Sequence, residues 1–209
     1  MKILNLYACL GGNRYKWDSS HDVVAVELDE ELARLYQQRF PGDKVIVDDA
    51  HQYLLDHYRE FDFIWSSPPC PTHSRARFWA SKGGVHKPVF PDMKLYEEIL
   101  FLDNYFDGKW VVENVVPFYK PLLSATKLGR HLFWSNFNIP KRDFKDADIH
   151  KGTISEHEDF HKIDLKSYKG NQRKLKIARN LVHYDIGEYV FNCMESFLKS
   201  NTVNQQSLF

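Results

Sequence analysis

The sequence predicts an α/β protein built on a doubly wound, mostly parallel sheet with a small irregular lobe. Short apolar runs alternate with helical segments through the first 140 residues, which is the pattern of parallel strands joined by crossover helices. Polar side chains also follow the ends of four of these runs, at the edge where such sheets bind ligands. These side chains belong to Glu27, Asp49, Cys70 and Glu113.

Each predicted strand is a short apolar run that ends at a turn or at a polar residue. The runs are residues 2–7, 23–26, 45–47, 61–65 and 109–112, with a candidate sixth at 131–137. The spacing of apolar residues between the runs predicts the connecting helices. These are residues 30–39, 52–58 and 93–106, with a short or broken helix at 14–20 and helical character again at 177–199.

Charge and cysteine content narrow the class of protein. Lys plus Arg and Asp plus Glu number 28 each, so only a local basic patch would attract nucleic acid. The three cysteines are too few and too scattered for a disulfide framework. Their odd number, without a secretory leader or a long apolar run, predicts a cytoplasmic protein that does not enter a membrane.

The turn after the first strand and two strand-end carboxylates predict a pocket for an adenosine-containing cofactor. Gly11 and Gly12 allow positive φ and a close approach of ligand to backbone. Glu27 can accept from both hydroxyl groups of a ribose, and Asp49 can accept from an adenine amino group. The full G-x-G-x-x-G pattern is missing, so a dinucleotide is not favoured.

The most specific local motif is Ser67-Pro68-Pro69-Cys70. Two prolines fix φ in a rigid turn, which would hold the Cys70 thiol above the sheet edge. A thiolate is a soft nucleophile, is expected to be available near neutral pH and can add to C6 of a pyrimidine. Glu113 can hydrogen-bond N3 of the base as charge builds there, and its burial would raise its pKa into the useful range.

Taken in order, these motifs resemble those of the DNA cytosine-5 methyltransferase family. The resemblance covers most of the chain, through NLYACLGG, VVAVELDEELARLYQQRFP, VDDA, SSPPCPTHSRAR, WVVENVVPF and KIARNLVHYDIGEYV. It implies a Rossmann-like fold of the S-adenosylmethionine-dependent methyltransferase type, S-adenosylmethionine as cofactor and double-stranded DNA as partner. Cys70 would attack a cytosine flipped out of the duplex, because C6 is unreachable within the stack.

The same resemblance implies a role for each matched residue. Catalysis would fall to Cys70, Glu113 and Arg130. The cofactor-binding residues would be Tyr7, Ala8, Cys9, Gly11, Gly12, Glu27, Leu28, Asp49, Ala50, Pro68, Asn180 and Val182. The DNA-binding residues would be Ser74, Arg75, Arg77 and Lys82. Residues 1–140 would form the catalytic domain, 141–176 a reduced target-recognition lobe, 177–199 a closing helix and 200–209 a flexible tail.

Three departures from the family bear on function. The family's Gln-x-Arg-x-Arg element is missing; Arg130 would take the role of one of its arginines, and His131 would stand near the position of the other. Arg179 occupies a position where the family usually has glycine. So small a lobe predicts a short, degenerate target, or recognition by a second subunit. No metal is expected, and the histidines of the lobe are expected on its surface. They are His150, His157 and His161.

The motifs leave open an RNA cytosine-5 methyltransferase and a catalytically silent subunit that binds cofactor and DNA. Residues 205–209 also resemble the short peptide with which bacterial polymerases and repair proteins dock on the DNA sliding clamp. Gln205 would meet polar groups of the clamp, while Leu208 and Phe209 would fill an apolar pocket. Docking would imply a bacterial or phage source, and it would offset weak DNA binding through a raised effective concentration.

Overall fold

The computed structural model describes residues 1–144 and 152–206, with the backbone alone for 201–206. Its strands are β1 Lys2–Leu6, β2 Asp22–Glu27, β3 Lys44–Val47, β4 Phe63–Ser66, β5 Lys109–Val115, β6 Thr126–Leu128 and β7 His131–Ser135. They form one sheet of order β3-β2-β1-β4-β5-β7-β6, in which β1 to β5 are parallel and β7 is antiparallel to its neighbours. The predicted doubly wound, mostly parallel sheet is confirmed.

Seven α-helices lie within the described residues. They are α1 Glu30–Arg39, α2 Ala50–His57, α3 Arg75–Lys82, α4 Lys94–Tyr105, α5 Ile154–His161, α6 Lys174–Arg179 and α7 Tyr184–Gln206. The apolar spacing predicts α1, α2 and α4 to within two residues, but residues 14–20 form only turns. It does not predict α3, because this helix buries none of its side chains; Ser74 instead fixes its start by accepting from Arg77 N at 3.2 Å.

Alternate side chains of the central strands feed two apolar cores, one on each face of the sheet. On one face Leu4 and Leu6 pack with the buried sides of α2 and α4. On the other face Ile3 packs with α7, where Trp17 stacks on Phe191 at 4.9 Å between ring centroids. The sheet is thus covered on both sides, and its carboxyl edge is left for a site.

The lobe packs on α1 and on the turn after β1. Apolar residues of α6 and of the segment before it join α1 in one cluster. Tyr168 Oη and Gln172 Nε2 both donate to Asp29 at the start of α1, at 3.2 and 2.9 Å. Arg39, at the end of α1, donates to the carbonyl oxygens of Leu10 and His161 at 2.6 and 3.2 Å. The lobe therefore forms part of the wall beside the first two strand ends.

The expectation that the lobe's histidines lie on the surface is wrong for His157 and His161, which are 0% and 2% exposed. Their spacing of four residues on α5 puts both side chains on the helix face that is turned inward. Thr153 and Glu156 start this helix with a reciprocal capping box. His150 lies outside the described residues.

Residues 177–199 do not form the single closing helix that the sequence predicts. α6 ends at Arg179, and α7 begins at Tyr184 and continues past residue 199 to Gln206. Leu208, Phe209 and the side chain of Gln205 lie outside the described residues, so docking on a sliding clamp stays a prediction. In the described part of the chain, no helix is both long enough and apolar enough to cross a membrane.

Candidate active site

The carboxyl ends of the parallel strands meet at a pocket of about 590 Å³. The four polar residues that the sequence places at strand ends, Glu27, Asp49, Cys70 and Glu113, all line it. The other predicted site residues in its wall are Tyr7, Cys9, Leu28, Ala50, Pro68 and Asn180. One continuous cavity therefore joins the predicted cofactor half of the site to the predicted chemical half.

The turn after β1 is shaped by left-handed backbone at Tyr7, Cys9 and Gly11, with φ of 56°, 48° and 64°. Glu27 fastens this turn, because its Oε2 accepts from Cys9 N at 2.8 Å and its Oε1 accepts from Asp29 N at 2.9 Å. Burial is the main cause that raises the pKa of Glu27, although these backbone hydrogen bonds oppose the shift. Each oxygen keeps further acceptor capacity, and Glu27 lines the pocket.

Four predicted cofactor residues support the turn from behind and are outside the pocket lining. Ala8 is 4% exposed, and its N–H donates to Val26 O at 3.0 Å. Gly11 and Gly12 are also buried, and a Cβ on Gly12 would lie 2.4 Å from Val182 O. Val182 itself packs in the core. These residues thus bring the closing segment into contact with the first turn.

Asp49 begins α2, where its Oδ1 accepts from Gln52 N at 3.0 Å. That backbone hydrogen bond is the main cause that lowers the pKa of Asp49. Ala50 is buried beside it, while Leu28 is 69% exposed above the pocket. Asp49, an acceptor after β3, and Leu28, an apolar side chain after β2, together suit a flat heterocycle between them.

Glu98, on α4, is a fully buried residue that supports the pocket wall through Tyr7, and the sequence does not reveal it. Its carboxylate accepts from Tyr7 Oη and from Ser66 Oγ, both at 2.5 Å, and it contacts His51 Nδ1 at 2.9 Å. The hydrogen bond to Glu98 is the main cause that raises the pKa of His51. Glu98 therefore ties the turn after β1, the start of α2 and the end of β4 to one point.

The Pro-Pro-Cys turn is pinned from both sides. Asn114 Nδ2 donates to Pro68 O at 2.9 Å, and the N–H groups of His73 and Ser74 donate to Cys70 O at 3.0 and 3.1 Å. Burial, followed by the nearby Glu113 carboxylate, raises the pKa of the Cys70 thiol to about 11. The expectation of a thiolate available near neutral pH is therefore wrong for Cys70 in this environment.

Glu113 is 5% exposed, and burial raises its pKa to about 7, as the sequence predicts. Ser67 hydrogen-bonds this carboxyl group, which opposes the shift. Trp65 Nε1 donates to Ser67 Oγ at 2.9 Å, which directs the hydroxyl proton of Ser67 toward Glu113. His131 Nε2 lies 3.7 Å from Glu113 Oε1, and burial lowers the pKa of His131 to about 3. A neutral histidine thus stands beside a glutamate that is half protonated near neutral pH.

Arg130 lies close enough to Cys70 to oppose the rise in the thiol's pKa, and its guanidinium donates to Arg179 O. Lys176, the last residue of the lobe, and Arg179, in the closing segment that follows it, both line the pocket. The predicted DNA-binding residues lie on and beside α3, outside this pocket. Ser74 caps α3, Arg75 Nε donates to Pro117 O at 3.1 Å, and Arg77 and Lys82 line a second cavity.

Comparison with known proteins bears on the first half of the chain. Residues 1–92 match the model of the family described as C-5 cytosine-specific DNA methylase. No curated protein is significantly similar to the chain.

Several solved structures are similar to this chain over part of their length. A DNMT2 variant from Spodoptera frugiperda is 23% identical, with a TM-score of 0.37, over 55% of this chain and 35% of that one. A TehB-like SAM-dependent methyltransferase from Corynebacterium glutamicum is 21% identical, with a TM-score of 0.34, over 55% and 54%. The methyltransferase EhMeth from Entamoeba histolytica is 12% identical, with a TM-score of 0.41, over 75% and 59%. This chain thus spans about a third to three fifths of their length.

Proposed function

We propose that this chain, which over residues 1–92 matches the C-5 cytosine-specific DNA methylase family, transfers a methyl group from S-adenosylmethionine to C5 of cytosine in DNA. The observation that carries the proposal is one pocket that holds Cys70 and Glu113 beside the carboxylates of Glu27 and Asp49. A nucleophile and an acid thus lie next to acceptors that suit a ribose and an adenine.

The residues present fit S-adenosylmethionine. Glu27 offers acceptor capacity toward ribose hydroxyls, and Asp49 offers it toward the adenine amino group. The left-handed turn at Tyr7–Cys9 lets a ligand approach the backbone, and Asn180 also lines the pocket. When bound, S-adenosylmethionine supplies an electrophilic methyl group on its sulfonium.

Cys70 and Glu113 act on the cytosine ring together. Cys70 Sγ forms a bond to C6, and the electron pair of the C5–C6 double bond moves to C5, which is then the nucleophile. Glu113, with a pKa of about 7, holds a proton against N3 and disperses the charge that builds there. After methylation, a base or water takes the C5 proton, the C5–H electron pair re-forms the C5–C6 double bond, and Cys70 leaves with the electron pair of its bond to C6.

Because the pKa of Cys70 is raised, Glu113 and Arg130 must help to ionise its thiol. At neutral pH the thiol is protonated and must pass its proton to solvent as it attacks. Protonation of Glu113 removes the carboxylate charge that raises the thiol's pKa, and Arg130 favours the thiolate. A cytosine whose N3 accepts a hydrogen bond from protonated Glu113 therefore favours both its own activation and the ionisation of the Cys70 thiol.

Methyl transfer from S-adenosylmethionine with a radiolabelled methyl group tests the proposal, with duplex DNA, single-stranded DNA and tRNA as parallel substrates. Cys70→Ser should abolish turnover and retain cofactor binding, because a hydroxyl is a far poorer nucleophile. DNA that contains 5-fluorocytosine should trap a covalent adduct on Cys70, because fluorine blocks the final elimination. Transfer to tRNA alone would favour the RNA alternative, and cofactor binding without transfer to any substrate would favour the silent subunit.

A pair of variants separates the two halves of the site. Glu113→Gln should lower methyl transfer by about 10²-fold or more, the usual loss for an acid–base group, with cofactor affinity nearly unchanged. Glu27→Ala should weaken cofactor binding first. Equal effects of both substitutions on both measurements would contradict this division.

A further inference from the structure

A second cavity, of about 290 Å³, lies on the segment that follows the nucleophile and has no role in the chemistry above. Its walls are α3, residues 88–89 and Phe118, and Thr72, two residues after Cys70, stands at its rim. Hydrogen bonds hold these walls together, with Val85 N donating to Ala80 O at 2.9 Å and Ser81 Oγ donating to Lys87 O at 3.3 Å.

The floor of this cavity is aromatic. Phe78 and Phe118 stack face to face, with ring centroids 4.4 Å apart and planes 5° apart. Within the described residues, neither ring belongs to the apolar cores of the sheet. The rings of Trp79 and Phe78 make an edge contact with centroids 5.4 Å apart, and Trp79 is 68% exposed. Phe90, nearby in sequence, is 94% exposed. Exposed aromatic side chains that are grouped in one patch are typical of surfaces that bind a ligand or a partner.

The other lining groups are cationic or hydroxylic. Lys82 Nζ lies 5.7 Å from the centroid of the Phe78 ring. Arg77 Nε is buried and has no hydrogen-bond partner among the described residues. No carboxylate lines the cavity within the part of the chain that the structure describes. A ligand that complements these groups has a flat ring and a negative charge. A nucleotide supplies both, in its base and its phosphate.

We propose that this cavity is a second nucleotide subsite, which stacks one unstacked base near the target cytosine in the same strand and holds its phosphate with Arg77 and Lys82. The inference rests on the proposed function, because that function places DNA at Cys70. Thr72 lines the cavity and is only two residues after Cys70, so a strand whose cytosine reaches Cys70 would have neighbouring nucleotides within reach of the cavity. It would supply affinity that a chain of zero net charge lacks overall.

A scan of abasic sites tests the subsite on the unaltered protein. Single-stranded oligodeoxynucleotides with one cytosine carry a tetrahydrofuran abasic site at each of the three positions on either side. Fluorescence anisotropy gives their Kd, and methyl transfer gives KM. We expect one position at which loss of the base weakens binding by about 5- to 150-fold, the worth of one base stacked on an aromatic ring. A uniform response across the positions would overturn the proposal.

A double-mutant cycle identifies the partner of that base. Phe78→Ala should weaken binding of the intact oligonucleotide by a similar factor, with no further loss when the critical base is already missing. Phe78→Leu keeps most of the volume and should lose the stacking. Tyr105→Ala is the matched control, because Tyr105 is 65% exposed at the opposite edge of the sheet and should change nothing. Additive losses from Phe78→Ala and base removal would also overturn the proposal.

Salt dependence checks the phosphate contact. Arg77→Gln and Lys82→Gln should each reduce the slope of log Kd against log salt by up to about 0.7, the value for one phosphate on a single strand. Unchanged slopes in both variants would remove the phosphate contact from the proposal. The anisotropy arm needs no turnover, so a position-specific loss of binding without methyl transfer would retain the subsite and reject the proposed function.

Discussion

Acidification should destabilise this protein through its buried histidines. Burial lowers the pKa of His131 and of His161 to about 3. In the unfolded chain a histidine has a pKa of about 6.5, so the unfolded state binds protons that the folded state cannot accept. Both ring nitrogens of His161 and Nδ1 of His131 are buried without a hydrogen-bond partner among the described residues. The stability contributed by these neutral rings is present above pH 6.5 and is lost as pH falls toward about 3.

The size of the loss follows from the two pKa values. At pH 5 each unfolded histidine gains about 2 kcal/mol from protonation, and the folded form gains almost nothing. Two such residues therefore cost about 4 kcal/mol, a large share of the 5–15 kcal/mol typical of a folded domain. The raised pKa values of Glu113 and Glu27 act in the opposite sense, because those carboxyl groups take up protons more readily in the folded state.

Urea unfolding at pH 7.5 and pH 5 measures the effect, and a variant isolates it. His161→Phe removes one titrating ring and keeps an aromatic side chain against Phe160, whose ring centroid lies 4.9 Å away. Relative to the unaltered protein, the variant should gain about 2 kcal/mol between pH 7.5 and pH 5. His86→Phe, at an exposed position, is the control for the added phenylalanine. An equal pH dependence in His161→Phe and the unaltered protein would refute this reasoning.

Three further predictions concern the site and its support. Glu98→Gln should weaken S-adenosylmethionine binding by about tenfold in a calorimetric titration, because it weakens the hydrogen bonds that position Tyr7 in the pocket wall. Gly187→Ala should cost about 1–3 kcal/mol in thermal unfolding, because its Cβ would lie 2.3 Å from Asn13 O. Glu113→Gln should accelerate alkylation of Cys70 at pH 8, measured by mass spectrometry, because it removes a carboxylate that raises the thiol's pKa, even as methyl transfer falls.

The sequence predicts the site best where parallel strands end. The strands that carry or precede Glu27, Cys70 and Glu113 are parallel members of one sheet, so their carboxyl ends lie at the same edge. The order of the elements therefore predicts that these three residues lie close together. The same reasoning does not predict the buried position of Glu98. A glutamate inside a helix is most often a solvated charge, and only the tertiary structure brings Tyr7 and Ser66 to its oxygens.

Environment, more than position, explains the other differences. The pKa of Cys70 depends on how deeply the Pro-Pro-Cys turn is buried and on its distance from Glu113, which local sequence does not encode. His157 and His161 lie in a polar stretch that suggests a surface, yet their face of α5 is buried. α3 lacks a buried apolar face, so hydrophobic spacing gives no signal for it.

The position of the lobe bears on how a target would be recognised. Tyr168 and Gln172 attach it to Asp29, beside the predicted cofactor end of the pocket, and Lys176 at its end lines the pocket. Reading several base pairs requires several bidentate contacts to base edges. Because polar side chains of the lobe contact α1 and the pocket, few of them remain to contact base edges. Affinity would then rest on phosphate and stacking contacts around α3, which favours a short target with tolerance at some positions.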